Sequence, residues 1–118
     1  MDHKELCDKV LELVPQVRFS GILNSRGDLA VESNRDESTK LLNEDEVKMS
    51  VHYTFQRWNS IQNLAHRIGK EKLNITEYEK VTLISLLLND RNLLLLSSEP
   101  GANYMEIVSK VKQIIPDE

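Results

Sequence analysis

The apolar positions along the chain change period several times, and each change marks a structural boundary. Leu6, Val10, Leu11, Leu13 and Val14 recur near helical spacing while Asp2, Lys4, Glu5, Asp8, Lys9 and Glu12 fill the other side. Residues 2–13 therefore read as an amphipathic helix that Pro15 stops. From Val17 the pattern shortens. Val17-Arg18-Phe19-Ser20-Gly21-Ile22-Leu23 is rich in strand formers, Asn24-Ser25-Arg26-Gly27-Asp28 is a run of turn residues, and Leu29-Ala30-Val31-Glu32-Ser33 resumes a strand. The two strands make a hairpin, with Gly27 supplying the positive φ of the turn. Residues 34–43 are polar, charged and without period, and read as a loop.

A long helix follows, with Asn43 as N-cap and Glu44, Asp45 and Glu46 in the first turn, where negative charge complements the helix dipole. Its stripe is Val47, Val51, Phe55, Trp58, Ile61, Ala65 and Ile68, in steps of three and four, and Gly69 ends it. Met49, Tyr53 and Leu64 lie off that stripe. The helix thus has a second, partly apolar flank, and a second flank needs a second neighbour.

Beyond Gly69 the signal returns to strand. In Lys70 to Tyr78, Leu73, Ile75 and Glu77 fall on one face by alternation. Val81 to Leu88 and Leu93 to Ser98 are near-continuous apolar runs around an Asn89-Asp90-Arg91-Asn92 turn, which predicts a hairpin of central strands buried on both faces. Pro100-Gly101 closes the sheet. A last helix from Ala102 or Asn103 presents Tyr104, Ile107, Val108, Val111, Ile114 and Ile115 before Pro116. The expected fold class is α/β of the α+β kind, a five-stranded antiparallel sheet in the order α-β-β-α-β-β-β-α. At 118 residues, one domain spanning 1–118 accommodates it.

Composition narrows the function. Nineteen acidic against fifteen basic residues give a net charge of −4, which removes the electrostatic attraction that drives binding to phosphate backbones; nucleic acid is not an expected partner. No apolar run reaches the roughly 18–20 residues of a membrane helix, and no signal sequence opens the chain, so the expectation is a cytoplasmic protein without membrane contact. The lone Cys7 excludes an internal disulfide and a multi-cysteine zinc site.

Candidate chemistry is sparse. Arg26-Gly27-Asp28 sits where the first hairpin must turn, and Asn74-Ile75-Thr76, a glycosylation pattern, falls inside a predicted strand. His52 and His66 are too far apart on their helix to share a metal, and His3 with Cys7 offers two ligands where a firm site needs more. The acids at Asp36-Glu37 and Glu44-Asp45-Glu46 are accounted for by a solvated loop and a helix start. None of the serines stands in a nucleophile elbow, and four glycines make no phosphate loop. No catalytic residue, metal ligand or cofactor site is expected, and the chain reads as no enzyme. Trp58 shares the core stripe, whereas Met49 and Tyr53 are the candidate residues of a helix-pairing dimer interface.

The order of elements resembles that of the roadblock/dynein light chain superfamily, a profilin-like fold. The residues that carry the likeness are Val17 to Leu29, a strand, a turn with Gly27 and a second strand, together with Glu77-Tyr78-Glu79-Lys80-Val81 leading into the last hairpin, and Ile107 to Ile115. The chain is also similar to short proteins of ammonia-oxidising archaea. The resemblance implies a homodimer formed by pairing long helices and joining sheets, and a platform for another protein such as a small GTPase. It brings no catalytic residues, and the charged loop at 34–43 prevents a residue-by-residue transfer of any binding surface. The alternative is a PAS- or profilin-like sensor in which sheet and long helix enclose a small molecule.

Overall fold

The computed structural model describes residues 1–36 and 41–116. The elements are α1 (His3–Leu13), β1 (Val17–Leu23), β2 (Leu29–Asn34), α2 (Glu44–Ile61), a 3-10 turn (Gln62–Leu64), α3 (Ala65–Ile68), β3 (Leu73–Glu77), β4 (Thr82–Leu87), β5 (Leu93–Ser98) and α4 (Tyr104–Ile114). The strands form one antiparallel sheet in the order β2-β1-β5-β4-β3, so β2 and β3 are its edges. The α+β class and the expected strand count stand. Of the loop expected at 34–43, Asn34 belongs to β2 and residues 37–40, including Glu37, lie outside the described residues.

Polar side chains set the helix starts. Asp2 accepts the Glu5 N–H at 2.7 Å and Asn103 accepts the Glu106 N–H at 3.1 Å. At α2, Asn43 accepts the Glu46 N–H at 2.9 Å while the Glu46 carboxylate accepts the Asn43 N–H at 3.0 Å, a reciprocal box that satisfies two otherwise orphaned donors. In the first hairpin Gly27 takes φ +87°, and the Asn24 side chain accepts the N–H groups of both Arg26 and Asp28 at 3.0 Å. Arg26-Gly27-Asp28 is a turn.

Strand alternation sorts the side chains to two faces. On one, α1 and α4 lie over Ile22, Ile84, Leu86, Leu94 and Leu96, and with Leu6, Cys7, Val10, Ile107, Val108 and Val111 they make the main core. On the other, only Leu23, Leu93 and Trp58 form a buried cluster, with Val51, Phe55, Leu87 and Leu95 half-buried around it. The central strands are therefore buried on one face and half-covered on the other, a correction to the expectation of two covered faces. One helix cannot span the full width of five strands.

Two basic side chains fasten the β2 side. Arg35 donates from Nε to the Val17 carbonyl at 2.8 Å and from Nη2 to the carbonyls of Val14, at 3.2 Å, and Leu11, which ties the end of α1 to the start of β1. Lys4 donates from Nζ to the Glu32 carbonyl of β2 at 2.9 Å and to Ser33 Oγ at 2.8 Å, and Ser33 donates to Asp8. That hydroxyl holds the Asp8 carboxyl below the usual range.

The long helix is the second correction. It breaks after Ile61 into a 3-10 turn before α3. Three residues per turn in place of 3.6 rotates the positions beyond the break, so the end of the expected stripe leaves the sheet and Ile68 stands 76 % exposed. Gly69 ends the helix at φ +84°, as its position predicts.

Candidate interaction surface

α2 leans toward the β1–β2 hairpin. Phe55 lies over the turn, where a Cβ on Gly27 would stand 3.1 Å from its ring, and Phe55 meets Trp58 edge-on with centroids 6.3 Å apart. Trp58 is 6 % exposed and is core, as its place on the stripe predicts. Its indole N–H is buried without an acceptor among the described residues, which leaves packing to hold the ring.

Because α2 leans one way, a groove opens on the other, between its flank and the β3–β4 half of the sheet. It has a volume of about 590 Å³. Met49 and Tyr53 line it from the helix, and Asn74, Thr76, Leu83 and Ser85 from the sheet. Met49 is 55 % and Tyr53 61 % exposed. Leu42 and Tyr78 flank it. The structure thus places both candidate interface residues together on one apolar flank, beside a strand that pairs on one side only. Leu64, the third off-stripe residue, is also exposed but does not line the groove.

Several members of this surface have no trace in the periodicity. Arg57 and Glu71 join as a two-pronged ion pair at 2.9 and 2.8 Å, locking the end of α2 to the segment before β3. Thr76 donates to Asn74 Oδ1 at 3.0 Å, and Thr54 to the Ser50 carbonyl at 3.0 Å. These hydroxyls are already engaged. Polar residues on the expected face of an edge strand were the available signal for Asn74 and Thr76.

Titratable groups elsewhere are dispersed. His3 Nε2 lies 2.7 Å from Asp90 on the β4–β5 turn, and His52 packs beside the Tyr53 ring. Burial pushes the Cys7 thiol up, which keeps it protonated and unreactive. Among the described residues no group of three His, Cys, Asp or Glu side chains could hold a metal ion.

Sequence comparison finds no matching family model and no matching curated protein. Shape comparison does find relatives of fold. MglB of Myxococcus xanthus superposes with a TM-score of 0.74 at 12 % identity, over 94 % of this chain and 80 % of that one. The roadblock/LC7 domain from Streptomyces avermitilis gives 0.73 at 12 %, over 98 % and 92 %. The fold is that of roadblock/LC7 domains. A third structure, an MglB with a tetrameric arrangement, gives 0.75 at 13 %, over 94 % and 80 %. At such identities the likeness is one of backbone architecture, and the roadblock neighbours share the five-stranded sheet.

Proposed function

We propose that this chain is a non-enzymatic protein-interaction module that works as a homodimer, with the α2 flank and the β3 edge as the contact and Met49 and Tyr53 within it. One observation carries the reading: two large, more than half-exposed side chains stand beside an open groove, on the same side of the molecule as a strand edge with unpaired backbone groups. A two-fold axis can satisfy both at once, because an isologous contact asks one patch to be complementary to itself. The tetrameric arrangement of one fold neighbour supports assembly as a property available to this architecture. The roadblock fold further favours a protein partner for the dimer, and a small GTPase is the class we assign.

The expected result is a solution mass twice the 13.6 kDa of the chain by light scattering at micromolar concentration, reduced to one chain by M49E/Y53E with the circular dichroism spectrum unchanged. A wild-type mass of one chain overturns the dimer. The sensor reading rests on the groove volume, which falls within the range of roughly 300–1,000 Å³ of small-ligand sites. The groove is open to solvent and two of its hydroxyls, those of Thr54 and Thr76, already bond within the chain, which favours a macromolecular occupant. A ligand-induced rise in melting temperature across a metabolite panel would reverse that ranking.

A further inference from the structure

The α2–α3 helix ends in a tip that the described fold leaves bare. Ile68, the last residue of α3, is 76 % exposed and Leu64, one turn earlier, 54 %. A Cβ placed on the following Gly69 would meet no atom within 4 Å, so the space beside the helix end is open. Arg67, Lys70 and Lys72 are close to Ile68 along the chain, and none of the three has a carboxylate partner among the described residues. From Arg57 to Lys72 the chain carries four Lys or Arg against the one carboxylate of Glu71, which Arg57 already holds. The whole chain is net −4, so the tip opposes the sign of the rest.

Cations in a last turn commonly serve the helix dipole, which accounts for Arg67. It does not account for Lys70 and Lys72 beyond the helix, or for two aliphatic side chains held in water. We propose that this tip is a peripheral docking site for an anionic lipid surface, with Leu64 and Ile68 entering the boundary between headgroups and acyl chains and Arg67, Lys70 and Lys72 meeting the lipid phosphates and carboxylates.

Shape decides between a bilayer and an acidic protein. Leu64 and Ile68 stand out in solvent at the end of the helix, and a fluid bilayer closes around such side chains, whereas a folded partner must present a matching cavity. The acidic remainder of the chain is repelled by the same surface, which turns the tip toward it. No helix among the described residues is long and apolar enough to cross a membrane, so contact is with the surface alone. This departs from the expectation, drawn from apolar run length and the lack of a signal sequence, of no membrane contact. None of Leu64, Arg67, Ile68 or Lys70 lines the groove beside α2, so the inference does not rest on the dimer reading.

The test is sedimentation of the full chain with vesicles of phosphatidylcholine alone and of phosphatidylcholine mixed with phosphatidylserine. The expected result is binding only to the mixed vesicles, weakening as salt is raised, and falling about tenfold in both I68D and R67E/K70E/K72E, whose solution mass stays that of the wild type. Equal binding to the two vesicle types, no binding to either, or unchanged binding by the variants overturns the proposal. So does a change of oligomeric mass in I68D, which would assign the tip to a contact between copies, and so does failure on vesicles with retention of poly-glutamate, which would assign it to an acidic protein.

Discussion

The two faces of the sheet are built from the same strands and end up in different conditions. Toward α1 and α4, fourteen buried residues among those described make a continuous core, none of them more than 7 % exposed. Toward α2 the buried cluster is Leu23, Leu93 and Trp58, and a groove runs beside it. Two helices can cover a five-stranded sheet and one cannot. The first face holds most of the buried core, and the second is where apolar surface is left open.

Adjacent residues on β5 test this contrast most directly. Leu94 points to the closed face and is fully buried, whereas Leu95 points to the α2 face and is half-buried. Leu94→Ala should cost about 2–5 kcal/mol by urea denaturation, since it opens a cavity among side chains that cannot collapse. Leu95→Ala should cost about 1 kcal/mol, because it removes less buried surface beside an existing groove. Equal losses would show the faces to be packed alike.

A smaller effect is expected where α2 meets the first hairpin. Gly27→Ala puts a side chain at φ +87° and 3.1 Å from the Phe55 ring, and should lower stability by about 1–2 kcal/mol. If α2 is as loosely seated as the open groove suggests, the loss will be at the lower end, since Phe55 can yield.

The smallest effect belongs to the closed face, at the link between the start of α1 and the β4–β5 turn. Burial would raise the Asp90 carboxyl, but hydrogen bonds from His3 and the Asn92 N–H outweigh it and hold the group below the usual carboxylate range. Its folded value is thus lower than its unfolded one, so its contribution is present above an unfolded value near roughly 3.9 and is lost as pH falls through the folded value. Asp90→Asn should flatten that part of the acid limb of a stability–pH profile. An unchanged limb would show that the contact with His3 adds nothing.

The order of elements is legible in the chain because each one keeps a clean period: 3.6 in α1 and α4, a shortened pattern in β1, apolar runs bounded by Asn89 to Asn92 in the last hairpin. Met49 and Tyr53 are legible because they fall off a stripe that is otherwise regular. The break at Gln62-Asn63-Leu64 is not, since these residues carry no Gly or Pro to announce it, and so periodicity alone puts Ile68 on the core face. The lean of α2 is equally hidden. It depends on Phe55 seating over Gly27, a contact between residues 28 apart, and the Arg57–Glu71 pair that closes the far end of the helix likewise joins residues with no periodic relation.

The reach of Lys4 to the Glu32 carbonyl bears on where growth by addition of strands can stop. An open sheet with two free edges can join head to tail without limit, the geometry of a fibre. Here the β2 edge carries a cation on the Glu32 carbonyl, so a copy arriving at β2 meets that acceptor already occupied. In the proposed dimer the β3 margin pairs with its own kind across a two-fold axis, which consumes both copies' capacity in one event. Removing the amine with Lys4→Met frees that acceptor, and turbidity over time at high concentration would report whether the variant polymerises where the proposed dimer halts at a finite size.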